Sequence, residues 1–229
     1  MRYRIVFLLF FVFGTVSVFA QCNEFYQLEE GRTWEMESYN AKGKLTGKNT
    51  QKVTAYSSTA NSFTSTIHST MFNEKGKELT QGDLLVSCNG GTILIDMRNF
   101  VNEEQMKAFQ SYEMKMESDN LEIPGKLSVG QSLKDGSMTL TATNAPMPMN
   151  MTVTVTDRKV IAKETITTPA GSFECFKISS NSTFKTKMGI GFTANFSTFE
   201  WIAPKVAVVK TESYKNNKLQ GYTLLTKWN

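Results

Sequence analysis

Asn144-Ala-Pro-Met-Pro-Met-Asn-Met-Thr-Val-Thr-Val155 is the stretch whose reading decides the fold class. From Met147 onward the apolar residues recur at every second position. Met147, Met149, Met151, Val153 and Val155 point one way, and Pro148, Asn150, Thr152 and Thr154 point the other. A period of two over this length is a strand with one face against a core. Pro148 has no N–H to give to a ladder, so the strand is expected to begin at an edge or a bulge.

The same alternation extends outward in both directions. Before this stretch, Met138, Leu140 and Ala142 share a face; after it, strands are expected over 159–167, 173–184, 190–202, 206–214 and 219–227. Pro169-Ala-Gly171, Ala203-Pro204 and Asn216-Asn217 mark the reversals. Nearer the N-terminus, Trp34 and Met36 alternate with Glu35 and Glu37, and Asn40-Ala-Lys-Gly-Lys44 turns the chain. Asn73-Glu-Lys-Gly-Lys77 repeats that device between Ser62–Phe72 and Glu78–Cys88, with Gly76 available for a positive φ. Asn89-Gly90-Gly91 reverses the chain again, before Ile93, Ile95 and Met97 on one face. One helix is expected, capped by Asn102 with Glu103, Glu104 and Gln105 in its first turn and Met106, Phe109 and Tyr112 along its apolar side. It would cover an edge of the sheet or act as a lid. The fold class is therefore mainly β: a strongly curved antiparallel sheet or half-barrel with one short covering helix.

The first twenty residues read as a signal peptide. Arg2 and Arg4 precede an unbroken apolar run from Ile5 to Phe13, and Val18 and Ala20 suit cleavage before Gln21. Nine apolar residues cannot span a bilayer, which needs about 20. Residues 21–229 are expected to form a single β-rich domain, with 124–130, which holds Pro124-Gly125 and Gly130, as the one place for a division. Lipid attachment at Cys22 requires a small residue before it, and Gln21 is not small. The expectation is a soluble protein in the periplasm or outside the cell, with an outer-membrane lipoprotein as the alternative.

Export permits one disulfide among Cys22, Cys88 and Cys175. Spacing leaves three pairings open; the expected one is Cys22 with Cys88, leaving Cys175 as a buried thiol. Without the leader the chain carries 23 basic against 21 acidic residues and has no basic run, which speaks against a nucleic-acid partner.

The quoted residues belong to a longer pattern. Asn40-Ala-Lys-Gly-Lys-Leu-Thr-Gly47, Met71-Phe-Asn-Glu-Lys-Gly-Lys-Glu-Leu79, Val86-Ser-Cys-Asn-Gly90, Leu127-Ser-Val-Gly-Gln-Ser-Leu133, Asp157-Arg-Lys-Val160, Glu164-Thr-Ile-Thr-Thr-Pro-Ala-Gly-Ser-Phe-Glu-Cys-Phe-Lys-Ile178 and Glu200-Trp-Ile-Ala-Pro204 occur in order along the chain. From Cys22 to the end the chain resembles the TapB-like exported bacterial proteins, part of a wider periplasmic family defined only as a domain of unknown function. The resemblance implies a curved antiparallel sheet, similar to the half-barrels that carry lipids or lipoproteins in the bacterial envelope. It implies no catalytic residues. Asn144-Ala-Pro-Met-Pro-Met149 departs from the Gly- and Met-rich segment of those proteins.

Three readings compete for the methionines. In the first, Met97, Met138, Met147, Met149 and Met151, with Phe192 and Phe196 opposite, line a cavity for a lipid or other apolar ligand, since unbranched Met suits a wall that accommodates varied chains. In the second the interior is simply full, and the protein is a structural or protein-interaction module of the envelope. In the third, Met147, Met149 and Met151 bind Cu(I) through soft thioether sulfur, with His68 the one imidazole to assist. No cofactor is indicated. His68 shares a face with Thr64, Thr66 and Thr70, and no nucleophile motif or phosphate loop accompanies it, so the chain is read as non-enzymatic.

Overall fold

Residues 22–100, 112–142, 144, 149–188 and 190–229 are described by the computed structural model. They form thirteen strands: β1 Thr33–Asn40, β2 Leu45–Ser58, β3 Ser62–Asn73, β4 Glu78–Asn89, β5 Thr92–Ile95, β6 Met114–Asp119, β7 Leu121–Ile123, β8 Gly136–Ala142, β9 Met149–Thr168, β10 Gly171–Met188, β11 Ile190–Ala203, β12 Ala207–Lys215 and β13 Lys218–Trp228. A single 3₁₀ turn, Met97–Phe100, follows β5. The expected signal peptide, residues 1–20, most of the expected helix (its cap Asn102 with Met106 and Phe109) and Met147 fall outside the described residues.

All thirteen strands belong to one antiparallel sheet, ordered β6-β8-β9-β10-β11-β12-β13-β1-β2-β3-β4-β5-β7. The first and last long strands pair, with Trp34 opposite Trp228 and Asn40 opposite Gly221. The two edge strands, β6 and β7, are consecutive in the chain with only Asn120 between them. A sheet whose opposite edges are joined by one residue must be rolled almost into a closed barrel, which leaves little edge to pair with another chain. At the seam β8 begins with Gly136, where a Cβ would come within 2.6 Å of Leu121 Cδ2. Glycine there lets the two sides approach.

The turns follow their local chemistry. Asn40 Oδ1 accepts from Lys42 N and Lys44 N at 2.9 and 3.1 Å, and Asn73 Oδ1 accepts from Lys75 N and Lys77 N, both at 2.9 Å. Gly43 and Gly76 each take φ 76°, open to glycine without strain. Asn216 and Asn217 both have positive φ, the requirement of a two-residue turn between twisted strands.

Alternation sets what is buried. In β8, Gly136, Met138, Leu140 and Ala142 are buried and the residues between them are not. The strands read from sequence over 147–155 and 159–167 belong, from Met149 onward, to one continuous β9, interrupted by a bulge at Asp157, whose φ is 54°. The extra residue reverses the alternation, so that Arg158, not Asp157, turns inward and is buried.

Residues 22–28 lie across one end of the barrel. Asn23 Nδ2 donates to Gly91 O and Ile123 O on one wall, while Lys205 N and Ala207 N donate to Glu24 O and Phe25 O on the other. Phe25 is fully buried, edge-on to Phe176 with ring centroids 5.9 Å apart. Cys22 is bonded to Cys88, and Cys175 is a buried free thiol. Burial pushes that thiol up to about 11, so it is protonated at neutral pH.

On the outside, Glu35 ties three strands together. It accepts from Lys48 Nζ on β2 and faces Lys227 Nζ on β13, each at 3.2 Å, and its Oε1 accepts from Thr226 Oγ1. Burial alone would raise this carboxyl, but the lysine and threonine hydrogen bonds and the Lys48 charge outweigh it and hold it below the usual carboxylate value. A lowered folded pKa gives stability that is present above the unfolded value and lost as pH falls through the folded one. Because both lysines reach solvent, Glu35→Gln is expected to cost no more than about 1 kcal/mol at neutral pH. The gap between wild type and variant in urea midpoint should narrow as pH falls below the usual carboxylate value and through the lowered folded one.

Candidate functional site

The interior holds two packed clusters and a void. One cluster gathers Met97, Leu121, Met138, Leu140, Met151, Val153 and Val155, with Phe184 against it. The other is larger and centres on Phe25, Trp34, Val53, Ile93, Ile178, Ile202 and Leu225. Against the larger cluster lies a cavity of about 480 Å³. Its size falls within the range of small-molecule sites.

Each wall of the cavity comes from the inward side of a strand. Ile67 and Met71 of β3, Leu84 and Val86 of β4 and Ile95 of β5 form an apolar wall. Tyr26 and Leu28, from the segment across the barrel end, contribute with Val206, and Trp34 and Met36 stand on β1. Trp34 is fixed in place by its indole N–H, which donates to Val206 O at 3.0 Å. Asn49 and Gln51 are the inward residues of β2, and Asn49 Oδ1 accepts from Ser69 Oγ.

Glu200 lines the cavity from β11, on the same side of the strand as Ala194, Phe196 and Thr198. Burial raises its carboxyl above the usual range, opposed by the charge of Arg158. Tyr26 is likewise raised, chiefly by burial and then by Glu200. Arg158 is buried, and its Nη1 donates to Glu122 O at 3.0 Å and Lys134 O at 2.6 Å. The guanidinium therefore anchors the β7–β8 connection and acts on Glu200 only through space.

The residues expected from sequence to line a cavity divide into groups. Met97, Met138 and Met151 do come together, all with 6% exposure or less, but inside the packed cluster and not on the cavity wall. Met147 and the side chain of Met149 lie outside the described residues. Phe192 is 55% exposed at an open surface hollow edged by Lys185 and Lys187, and Phe196 is half-buried beneath Lys215 Nζ. The expected methionines whose side chains are described thus lie in a packed core, and the expected phenylalanines lie at or near the surface. His68 stands on the outside of β3, its Nδ1 2.9 Å from Asp83 Oδ1, while Met151 is on β9, so the two do not meet. Among the described residues no three His, Cys, Asp or Glu side chains gather as a metal site.

Sequence reasoning missed Glu200, Tyr26 and Arg158. Glu200 had a weak signal: by alternation it shares a face with Ala194, Phe196 and Ile202, with Thr198 between. Arg158 had none, because its inward orientation follows from the bulge at Asp157.

Comparison with known proteins agrees with this architecture. A protein of Bacteroides fragilis NCTC 9343, described as a candidate exported protein with a YmcC-like fold, superposes with a TM-score of 0.69 at 24% identity, covering 91% of this chain and all of that one. A candidate lipoprotein of Parabacteroides distasonis ATCC 8503 gives 0.73 at 23% identity with the same coverage. At these identities the likeness is one of fold. No curated protein matches the chain. No helix among the described residues is long and apolar enough to cross a membrane. The family model described as DUF3108-like matches residues 29–225, nearly the whole barrel, and the chain belongs to the DUF3108-like family.

Proposed function

We propose that this is a non-catalytic envelope protein that holds an apolar or amphiphilic ligand inside its barrel. The observation that carries the reading is the cavity of about 480 Å³, with Ile67, Met71, Leu84, Val86 and Ile95 on one wall. A structural module would gain more from filling that space, because unfilled apolar volume forfeits packing. The resemblance to TapB-like exported proteins is the narrower family placement within this proposal. Export to the periplasm or beyond also belongs to it: the relatives are described as exported protein and lipoprotein, and the leader pattern of residues 1–20 agrees. Cys22 favours a soluble form, since a sulfur bonded to Cys88 cannot also carry a lipid thioether.

Leu84 and Ile95 are partly exposed and both line the void, so larger side chains there should fill it. N-phenyl-1-naphthylamine, a neutral apolar probe, is expected to bind the wild type saturably with one probe per chain. Leu84→Trp and Ile95→Phe should each weaken it by about tenfold or more, with unchanged far-ultraviolet circular dichroism. Undiminished binding by both folded variants would place the probe elsewhere and overturn the assignment.

A further inference from the structure

Among the described residues lining the cavity, Glu200 is the one with a charged side chain. It stands at the end of a row that crosses four strands on the inner face. Glu200 of β11 is opposite Thr211 of β12, Thr211 is opposite Thr223 of β13, and Thr223 is opposite Ser38 of β1. All four line the cavity, and the two threonine hydroxyls are hydrogen-bonded at 2.8 Å. The wall from β3 to β5 presents apolar side chains instead. The void is therefore amphipathic, with one polar row and one apolar wall.

The carboxylate of Glu200 has no hydrogen bond or ion pair among the described residues. Among the described residues no sealed side-chain polar atom lacks a partner, so the Glu200 oxygens open onto the cavity. Other inner acids are satisfied within the fold, as Asp96 is by the backbone N–H and guanidinium of Arg98. A carboxylate in an enclosed space is costly unless donors or a counter-charge meet it. Arg158 does not serve as that partner: it does not line the cavity, and one of its terminal nitrogens is committed to two backbone carbonyls. Burial alone favours the neutral acid; beside an ammonium the ionised form is favoured, and it only accepts hydrogen bonds, while the neighbouring hydroxyls can accept as well. What is missing is a donor with positive charge.

We infer that the cavity selects amphiphiles whose head is a protonated amine, seated on Glu200 beside the Thr211, Thr223 and Ser38 hydroxyls, and disfavours those with an anionic head. This rests on the binding function proposed above and specifies the ligand's chemical class. An ammonium donates up to three hydrogen bonds and neutralises the acid, while its alkyl chain packs on Ile67, Leu84 and Ile95. A carboxylate or phosphate head would meet a like charge with no free cation on the wall.

The test is displacement of N-phenyl-1-naphthylamine at neutral pH by decylamine, decanol and decanoate, which share a chain and differ in the head. Decylamine should displace the probe at about tenfold lower concentration than the other two. Glu200→Gln, close in shape, should bring decylamine to the level of decanol. Thr223→Val should lower the amine preference by a smaller factor, which keeps the inference testable if the first variant does not fold. Decanoate binding as tightly as decylamine, or a preference that survives both substitutions, would overturn the inference and leave the cavity reading intact. Displacement by none of the three would overturn both.

Discussion

Removing the disulfide by Cys22→Ser with Cys88→Ser is expected to lower the unfolding free energy by about 4 kcal/mol. The bond spans 66 residues of sequence, and a cross-link of that length removes much of the freedom of the unfolded chain. It also holds the segment that covers one end of the barrel, between the β4 wall and the Asn23 hydrogen bonds to Gly91 and Ile123. Urea unfolding of oxidised wild type, reduced wild type and the double variant provides the check. Reduction should shift the wild-type midpoint by nearly the same amount as the substitutions and should leave the variant unmoved. A shift below about 1 kcal/mol would mean that the end segment is held by its other contacts alone.

Phe25→Ala is expected to cost about 3 to 5 kcal/mol, the range for deleting a fully buried phenylalanine ring. The ring packs on Phe176 and sits in the larger core cluster, and its own backbone N–H donates to Asn23 Oδ1 at 2.8 Å. Removing it leaves a hole beside the cavity that the rigid barrel cannot close. Because Phe25 and Cys22 anchor the same short segment, combining their substitutions should cost less than the sum of the two. Equilibrium unfolding of the single and combined variants measures that shortfall directly. Full additivity would show that disulfide and ring act on separate units.

Much of the barrel was legible because its information is local. The two Asn-x-x-Gly-Lys turns and the alternation in β3, β8 and β10 to β13 follow from residue type and spacing, whereas the Cys22–Cys88 pairing was one of three that spacing left open. What escaped depends on contacts made at a distance. β2 has Gly47, Asn49, Gln51 and Val53 on its inward side, and only Gly47 and Val53 are buried. Its polar inner face looks like no strand of a filled core, and it is polar because it borders the void. β6 and β7 are short edge strands on either side of Asn120, too brief for periodicity to register.

The candidate site was legible only in part. The Met parity correctly grouped Met97, Met138 and Met151, yet a buried methionine in a packed cluster and one on a cavity wall have the same sequence signature. Which cluster is left unfilled depends on the curvature of the whole sheet. Continued from Val155, the alternation would turn Asp157 inward, but the positive φ at Asp157 exchanges it for Arg158. Glu200 is the counterexample, an inward acid whose signal lies in the alternation of β11 itself.

The central claim is that the barrel holds an amphiphile. Its most direct test is a native mass spectrum of the chain from residue 21 onward, purified without detergent, incubated with vesicles of total bacterial lipid extract and re-isolated. The account predicts a species heavier by one amphiphile per chain, lost on denaturation and diminished in Leu84→Trp. A spectrum showing only the mass of the bare chain would contradict it.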